Sequence, residues 1–308
     1  MIPTREKSFL QEEPKLSPGA LPPSRARGYL QLLKPRIVLL NVFVAAVAMF
    51  LAWNGRVEPV IFTITLFAGA TAVAGSGAIN CFLERDLDGQ MARTRTRVLP
   101  SGRVAPNTAF LLGAILIVAS LTVSAIFVNL LTSGFITLGI ATYLVVYTLW
   151  LKKRSIHNIV IGGFAGSCSA LAGWAAATNS VSLFSALLAI LIFLWTPGHF
   201  WPLALSLKDD YANANIPMLP VTLGERGAAR VIAASNFLVV AFTFSFIIMQ
   251  LSGLIYVIVA SIFGGLMVAW NIRLLQLRTK AASWRVFKLS SVYLIALMAA
   301  MAFSEAIF

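Results

Sequence analysis

Residues 80–97 read Asn-Cys-Phe-Leu-Glu-Arg-Asp-Leu-Asp-Gly-Gln-Met-Ala-Arg-Thr-Arg-Thr-Arg. Three carboxylates and four arginines close a segment apolar and long enough to cross a bilayer. Charge is expensive near lipid, so a cluster at a membrane border marks a functional site by default. Asn80, Glu84 and Asp88 fall at i, i+4 and i+8. On a continuing helix they line one face over roughly 12 Å, and Asp86 points elsewhere. Oxygen donors along one face suit Mg²⁺ held by one or two carboxylates plus ligand phosphates. Nearby arginines suit the phosphates themselves. The chemistry indicated is therefore binding of a diphosphate carried by divalent metal. A plainer reading is a solvated helix end whose acids pair with Arg85, Arg93 and Arg95. A second acidic group, Asp209, Asp210 and Glu225, sits at the end of another apolar segment. Two such groups four segments apart suggest a pseudo-repeat whose clusters face each other across a central cavity.

Two other segments are dense in polar and aromatic residues. Tyr147, Thr148, Lys152, Lys153, Arg154, His157 and Asn158 gather around a short turn. Such a group suits phosphate or propionate carboxylates, although Lys152–Arg154 also reads as a simple topology signal. Gly162, Gly163, Gly166 and Gly173, with Ala165 and Ala172, give the following segment a small-residue face for close helix packing. Further on come Trp195, Pro197, Gly198, His199, Phe200, Trp201 and Pro202. The prolines and glycine predict a break or kink in mid-membrane, tolerated where a helix lines a cavity. His199 is either functional or a hydrogen-bonded structural residue.

The elements that must position these groups are membrane helices. The chain is 59% hydrophobic and 11% charged, with a mean hydropathy of +0.86 over 308 residues. That excludes an ordinary soluble domain and predicts an all-α polytopic protein. Nine spans are expected, at roughly 37–53, 60–83, 106–128, 132–151, 158–177, 181–207, 229–250, 252–272 and 287–307. The thinnest division is Gln250–Gly253. Residues 1–30 are polar and proline-rich and read as a disordered tail, without the apolar core of a signal peptide. Residues 31–308 read as a single transmembrane domain. Cys81 and Cys168 form no disulfide or zinc pattern.

The net charge of +13 raises nucleic acid as a partner, but its distribution argues for a membrane. With nine spans, every Lys and Arg except Arg56 falls on one side. The positive-inside rule makes that side cytoplasmic, with the N-terminus in and the C-terminus out. Both acidic groups then face the cytoplasm, and the expected location is a bacterial inner membrane.

Together these segments resemble the UbiA superfamily of intramembrane prenyltransferases, and within it the branch that farnesylates heme. Asn80-xxx-Glu84-xxx-Asp88 matches the first motif, with Glu in place of the more usual middle Asp. Arg93-Thr94 and Arg97-xx-Pro100 continue it. Tyr147-Thr148, Lys153-Arg154 and Asn158–Gly163 match the central motif. His199-Phe200-Trp201, Asp210-Tyr211 and Ile216–Pro220 match the third. The chain departs from the pattern at Ser167–Ala170 and at Pro197-Gly198, where paired prolines are common. The resemblance implies transfer of farnesyl from farnesyl diphosphate to a vinyl group of protoheme IX (heme B), with addition of water. The products are heme O, used in heme-copper oxidase biogenesis, and diphosphate. It implies Mg²⁺ on Asn80, Glu84, Asp88, Asp209 and Asp210, with Asn80, Glu84, Asp88 and Asp210 catalytic. Arg93, Arg97, Lys153 and Arg154 take the diphosphate. Tyr147, Asn158, Trp195, His199, Phe200, Trp201 and Tyr211 line the heme pocket. Expected partners are the bilayer, the two substrates, and a heme A synthase or oxidase assembly factors. The rivals are a related enzyme acting on a quinone precursor or another tetrapyrrole, a transporter, and a heme chaperone.

Overall fold

The computed structural model describes residues 25–249 and 253–307, and these form helices joined by short loops. The helices are α1 (Arg25–Leu32), α2 (Pro35–Ala52), α3 (Pro59–Gln90), α4 (Pro106–Phe127) and α5 (Leu130–Ala141). After α5 the chain runs straight into a π-helical stretch, Thr142–Leu151. There follow α6 (Asn158–Gly162), α7 (Phe164–Thr178), α8 (Leu183–Ser206), α9 (Lys208–Asn213), α10 (Leu219–Thr243) and α11 (Ser245–Ile248). α12 (Leu254–Leu277) and α13 (Lys280–Ile307) complete the bundle.

Among the described residues nine helices or helix pairs are long and apolar enough to span a membrane, one for each expected segment. Three are longer than hydropathy alone predicts. α3 continues through its charged motif to Gln90, the seventh span begins at Leu219, and the ninth at Lys280. The extension of the seventh span is interrupted by a kink at Gly224, whose φ of 67° is left-handed. The expected division near residue 250 lies largely outside the described residues. The tail expected to be disordered through residue 30 is described only from Arg25, and from there to Leu32 it is helical.

Helices adjacent in sequence pack side by side, and α13 packs back on α2 and α8. Gly173 allows α7 to rest directly on the backbone of Ala45 in α2. The exposed apolar side chains are spread over the outside of the spans, as a lipid-facing surface requires.

Of the break or kink expected in the sixth span, the break is absent. α8 runs helical from Leu183 to Ser206 with Pro197 and Pro202 inside it. Pro202 cannot donate to the carbonyl four residues back, that of Gly198. Asn236 Nδ2 of α10 supplies that donor instead, at 3.2 Å. Asn236 is held in turn by Asn271 Oδ1 of α12 at 3.0 Å, and Asn271 Nδ2 donates to Met267 O. A Cβ on residue 198 would collide with the Asn236 amide, so glycine is required at that contact. A neighbouring helix has re-satisfied the freed backbone group, and the helix continues.

Candidate active site

Thirty-two residues of helix are about a dozen more than a bilayer core needs. The C-terminal end of α3 therefore projects to the membrane border, carrying Asn80, Glu84 and Asp88 with it. All three are buried, at 2%, 6% and 4% exposure. Each has its own partner. Asn80 Oδ1 accepts from Lys34 Nζ at 2.5 Å, and its Nδ2 donates to Thr148 Oγ1 at 3.0 Å. Glu84 is ion-paired with Lys152. Arg97 Nη1 donates to both Asp88 oxygens, at 3.0 and 2.9 Å. Asp86, on the other side of the helix, is exposed beside Arg85.

Local structure explains how these cations arrive. Lys34 takes a left-handed conformation (φ 49°) just before Pro35 starts α2, which turns its side chain toward Asn80. Thr94 Oγ1 donates to the Asp88 carbonyl at 2.8 Å, folding the loop so that Arg97 returns to α3. The π-helical stretch widens the turn, and Thr148 Oγ1 bonds back to Tyr143 O, five residues earlier, at 2.8 Å. Tyr143 and Tyr147 then stack at 6.0 Å, with the ammonium groups of Lys34 and Lys152 near their respective rings. A Cβ on Gly162 would meet Tyr147 at 2.7 Å, so the small residue there makes room for the ring. Burial holds the Lys152 ammonium below its ordinary pKa, against the opposing pull of Glu84. A cavity of about 490 Å³ opens beside this face, lined by Lys34, Arg36, Cys81, Asp88 and Arg97 among others.

The second acidic group is arranged differently. Asp209 pairs with Lys280 at 2.8 Å, with both side chains well exposed. Glu225 lies 3.7 Å from Lys208. Asp210 is half-buried. The end of α3 and the α8–α10 turn do meet. Leu87 and Met91 share an apolar cluster with Trp201, Ile216 and Met218, and Tyr147 and Tyr211 pack against it. Burial raises the Tyr211 phenol's pKa, and the charges of Arg93, Glu84, Arg97 and Asp210 all act on it. Tyr211 thus lies between the two motifs. Among the described residues, no three His, Cys, Asp or Glu side chains form a ready-made metal cluster. The α3 face instead offers one amide and two carboxylate groups, an all-oxygen donor set that fits Mg²⁺ only when phosphate oxygens complete the shell.

Of the expected diphosphate residues, Arg97 lies on this face, whereas Arg93, Lys153 and Arg154 are exposed. Lys152, the member of the basic run that reads as a topology signal, is the one turned inward. Lys34 went unrecognised in sequence, whereas Thr148 and Lys152 stood in the expected central group, and the π-helical register brings them to Asn80 and Glu84.

The expected heme residues divide into two groups. Asn158 and Trp201 lie near the α3 face, and each leaves a buried polar atom, Asn158 Oδ1 and Trp201 Nε1, without a partner. Trp195 and His199 lie against α13. The imidazole is stacked on Trp195 at 4.3 Å and on Phe287 at 4.5 Å, and its Nδ1 lies 2.7 Å from Ser290 Oγ. Trp195 Nε1 donates to the Ser290 carbonyl at 2.8 Å. Phe200 is 39% exposed.

Comparison with known proteins gives one consistent result. A family model described as the UbiA prenyltransferase family matches residues 41–292. A protoheme IX farnesyltransferase of Gloeothece citriformis (strain PCC 7424) is 42% identical over 278 residues, covering 89% of this chain and 86% of that protein. Protoheme IX farnesyltransferase 1 of Cenarchaeum symbiosum (strain A) is 37% identical, over 91% of this chain and 96% of its own length. Among solved structures, a digeranylgeranylglyceryl phosphate synthase superposes with a TM-score of 0.76 at 18% identity, covering 92% of this chain and 99% of its own. A UbiA homologue from Archaeoglobus fulgidus bound to GPP and Mg²⁺ gives 0.62 at 16% identity, over 90% and 99%. The match across most of the chain, with two relatives well above 30% identity, establishes that this chain belongs to the UbiA prenyltransferase family.

Proposed function

We propose that the chain transfers farnesyl from farnesyl diphosphate to a vinyl group of protoheme IX, giving heme O and diphosphate. The carrying observation is the buried α3 face, where each of three oxygen-bearing side chains meets a cation or hydroxyl from another element. The choice of heme as acceptor is supported by the names of the relatives. The prenyl diphosphate donor is supported by the ligand of the Archaeoglobus homologue.

Asn80, Glu84 and Asp88 would hold Mg²⁺ together with diphosphate oxygens, with the half-buried Asp210 as the candidate from the second motif. When bound, Mg²⁺ would neutralise charge developing on the leaving group. Lys34, Lys152 and Arg97 already stand on the same face. With Mg²⁺ held by Asn80, Glu84 and Asp88, these three cations would be placed to bond diphosphate oxygens. The allylic C1–O bond breaks with its electron pair leaving on diphosphate. The vinyl π electrons form the new C–C bond to C1. Water then adds to the resulting carbocation and loses a proton. Tyr147 and Tyr211, packed against the apolar cluster that the motifs share, would offer π faces to such a cation and help exclude bulk water. Asn158 Oδ1 and Trp201 Nε1 offer an unused acceptor and donor for orienting the ring.

The site would face the cytoplasm of an inner membrane, with the N-terminus on that side. This rests on the distribution of Lys and Arg. A heme A synthase or an oxidase assembly factor would receive the product. The test is mass spectrometry of hemes extracted from membranes containing the chain, supplied with heme B and farnesyl diphosphate, with and without Mg²⁺. A Mg²⁺-dependent product with the mass of heme O is expected. No new heme with folded, abundant protein overturns the acceptor and directs attention to quinone precursors.

A further inference from the structure

The hairpin between α12 and α13 carries a cluster that the reaction does not use. Trp270, half-buried on α12, has the guanidinium of Arg273 5.0 Å from its ring centroid. Arg273 is one turn along the same helix. Arg285, from α13, brings a second guanidinium to the same ring, also at 5.0 Å. Among the described residues neither arginine has an acidic partner. Two guanidiniums beside one indole, with no carboxylate paired to either among the described residues, leave a local excess of positive charge.

The scaffold is rigid and its position is defined. Arg278 closes α12 in a left-handed turn, and Thr279 Oγ1 caps the start of α13 by accepting from Ala282 N. Lys280 ties the hairpin to Asp209, so the cluster lies at the end of the bundle that holds the candidate active site. Exposed Trp284 and Lys288 continue the patch along α13. Tryptophan and arginine together at a helix end are suited to the membrane–water boundary, where indole lies among headgroups and guanidinium bonds phosphate.

We infer that Trp270, Arg273 and Arg285 form a binding site for the phosphate headgroup of an anionic phospholipid. The indole keeps both guanidiniums 5.0 Å from its centroid, at the joined ends of two helices long and apolar enough to span a membrane. A phosphodiester would accept hydrogen bonds from the guanidiniums. A zwitterionic lipid brings its own cation and gains little there.

The test is native mass spectrometry of the full chain purified in detergent and offered phosphatidylglycerol or phosphatidylcholine. Wild-type protein is expected to retain phosphatidylglycerol preferentially. The double variant Arg273→Gln/Arg285→Gln is expected to bind it on the order of 30-fold more weakly, since each charge near the surface contributes about a factor of five. Arg278→Gln, which removes a cation from the same hairpin without touching the indole, is expected to retain the lipid. Circular dichroism confirms that the variants fold. Equal retention by the double variant and wild type, or equal binding of phosphatidylcholine, overturns the site. Displacement of the lipid by an equal concentration of inorganic phosphate overturns the lipid assignment in favour of a free phosphate.

Discussion

The end of α3 and the α8–α10 turn both bring acids to the same end of the bundle, yet they hold them in opposite ways. Glu84 and Asp88 are buried, each facing a cation from another element. Asp209 is exposed and paired with an equally exposed lysine. A buried carboxylate is kept only where something compensates it, and Arg97 and Lys152 supply that compensation here. An exposed pair is screened by solvent and constrains little. The contrast supports the proposal that the acids of the first motif form the working face, with the Asp209–Lys280 pair adding little.

Substitutions sharpen or break this contrast. Asp88→Asn keeps the shape and removes the charge, so farnesyl transfer should fall by at least about 100-fold, the usual loss when a principal charge-stabilising group goes. A near-normal rate of heme O formation would remove Asp88 from the metal site. Lys152→Met strands Glu84 and should lower stability by about 3–5 kcal/mol, read as thermal unfolding in detergent. An unchanged midpoint would mean that the buried pair is already solvated. Asn236→Leu should cost about 1–3 kcal/mol by leaving the Gly198 carbonyl unsatisfied, while farnesyl transfer per folded molecule stays close to wild type. Smallest of all, Lys153→Gln and Asp209→Asn should leave both the unfolding midpoint and farnesyl transfer nearly unchanged. A large loss of activity from Asp209→Asn would erase the distinction between the two motifs.

The sequence made the first motif readable because i, i+4, i+8 spacing on a helix leaves only one arrangement. Nine spans and the family also followed, since hydropathy and charge asymmetry are strong signals in lipid. Less visible was anything that depended on a neighbour. Lys152, Lys153 and Arg154 look equivalent in sequence, and the π-helical register decides which one turns inward. Pro197 and Pro202 signalled a break, but Asn236, 34 residues after Pro202, supplies the donor that keeps α8 continuous. His199 read in sequence as either functional or a hydrogen-bonded structural residue, and its partners are long-range: it is stacked between Trp195 and Phe287 with Ser290 on its Nδ1, across 91 residues. Helical periodicity carries no information about such partners.

The most direct test of the central claim measures binding rather than turnover. Purified wild-type protein, Asp88→Asn and Asp209→Asn would be titrated with an unreactive farnesyl thiodiphosphate, with and without Mg²⁺, by isothermal calorimetry. The account predicts Mg²⁺-dependent binding by wild type and Asp209→Asn, and its loss in Asp88→Asn. Mg²⁺-dependent binding that survives in Asp88→Asn and disappears in Asp209→Asn would contradict it.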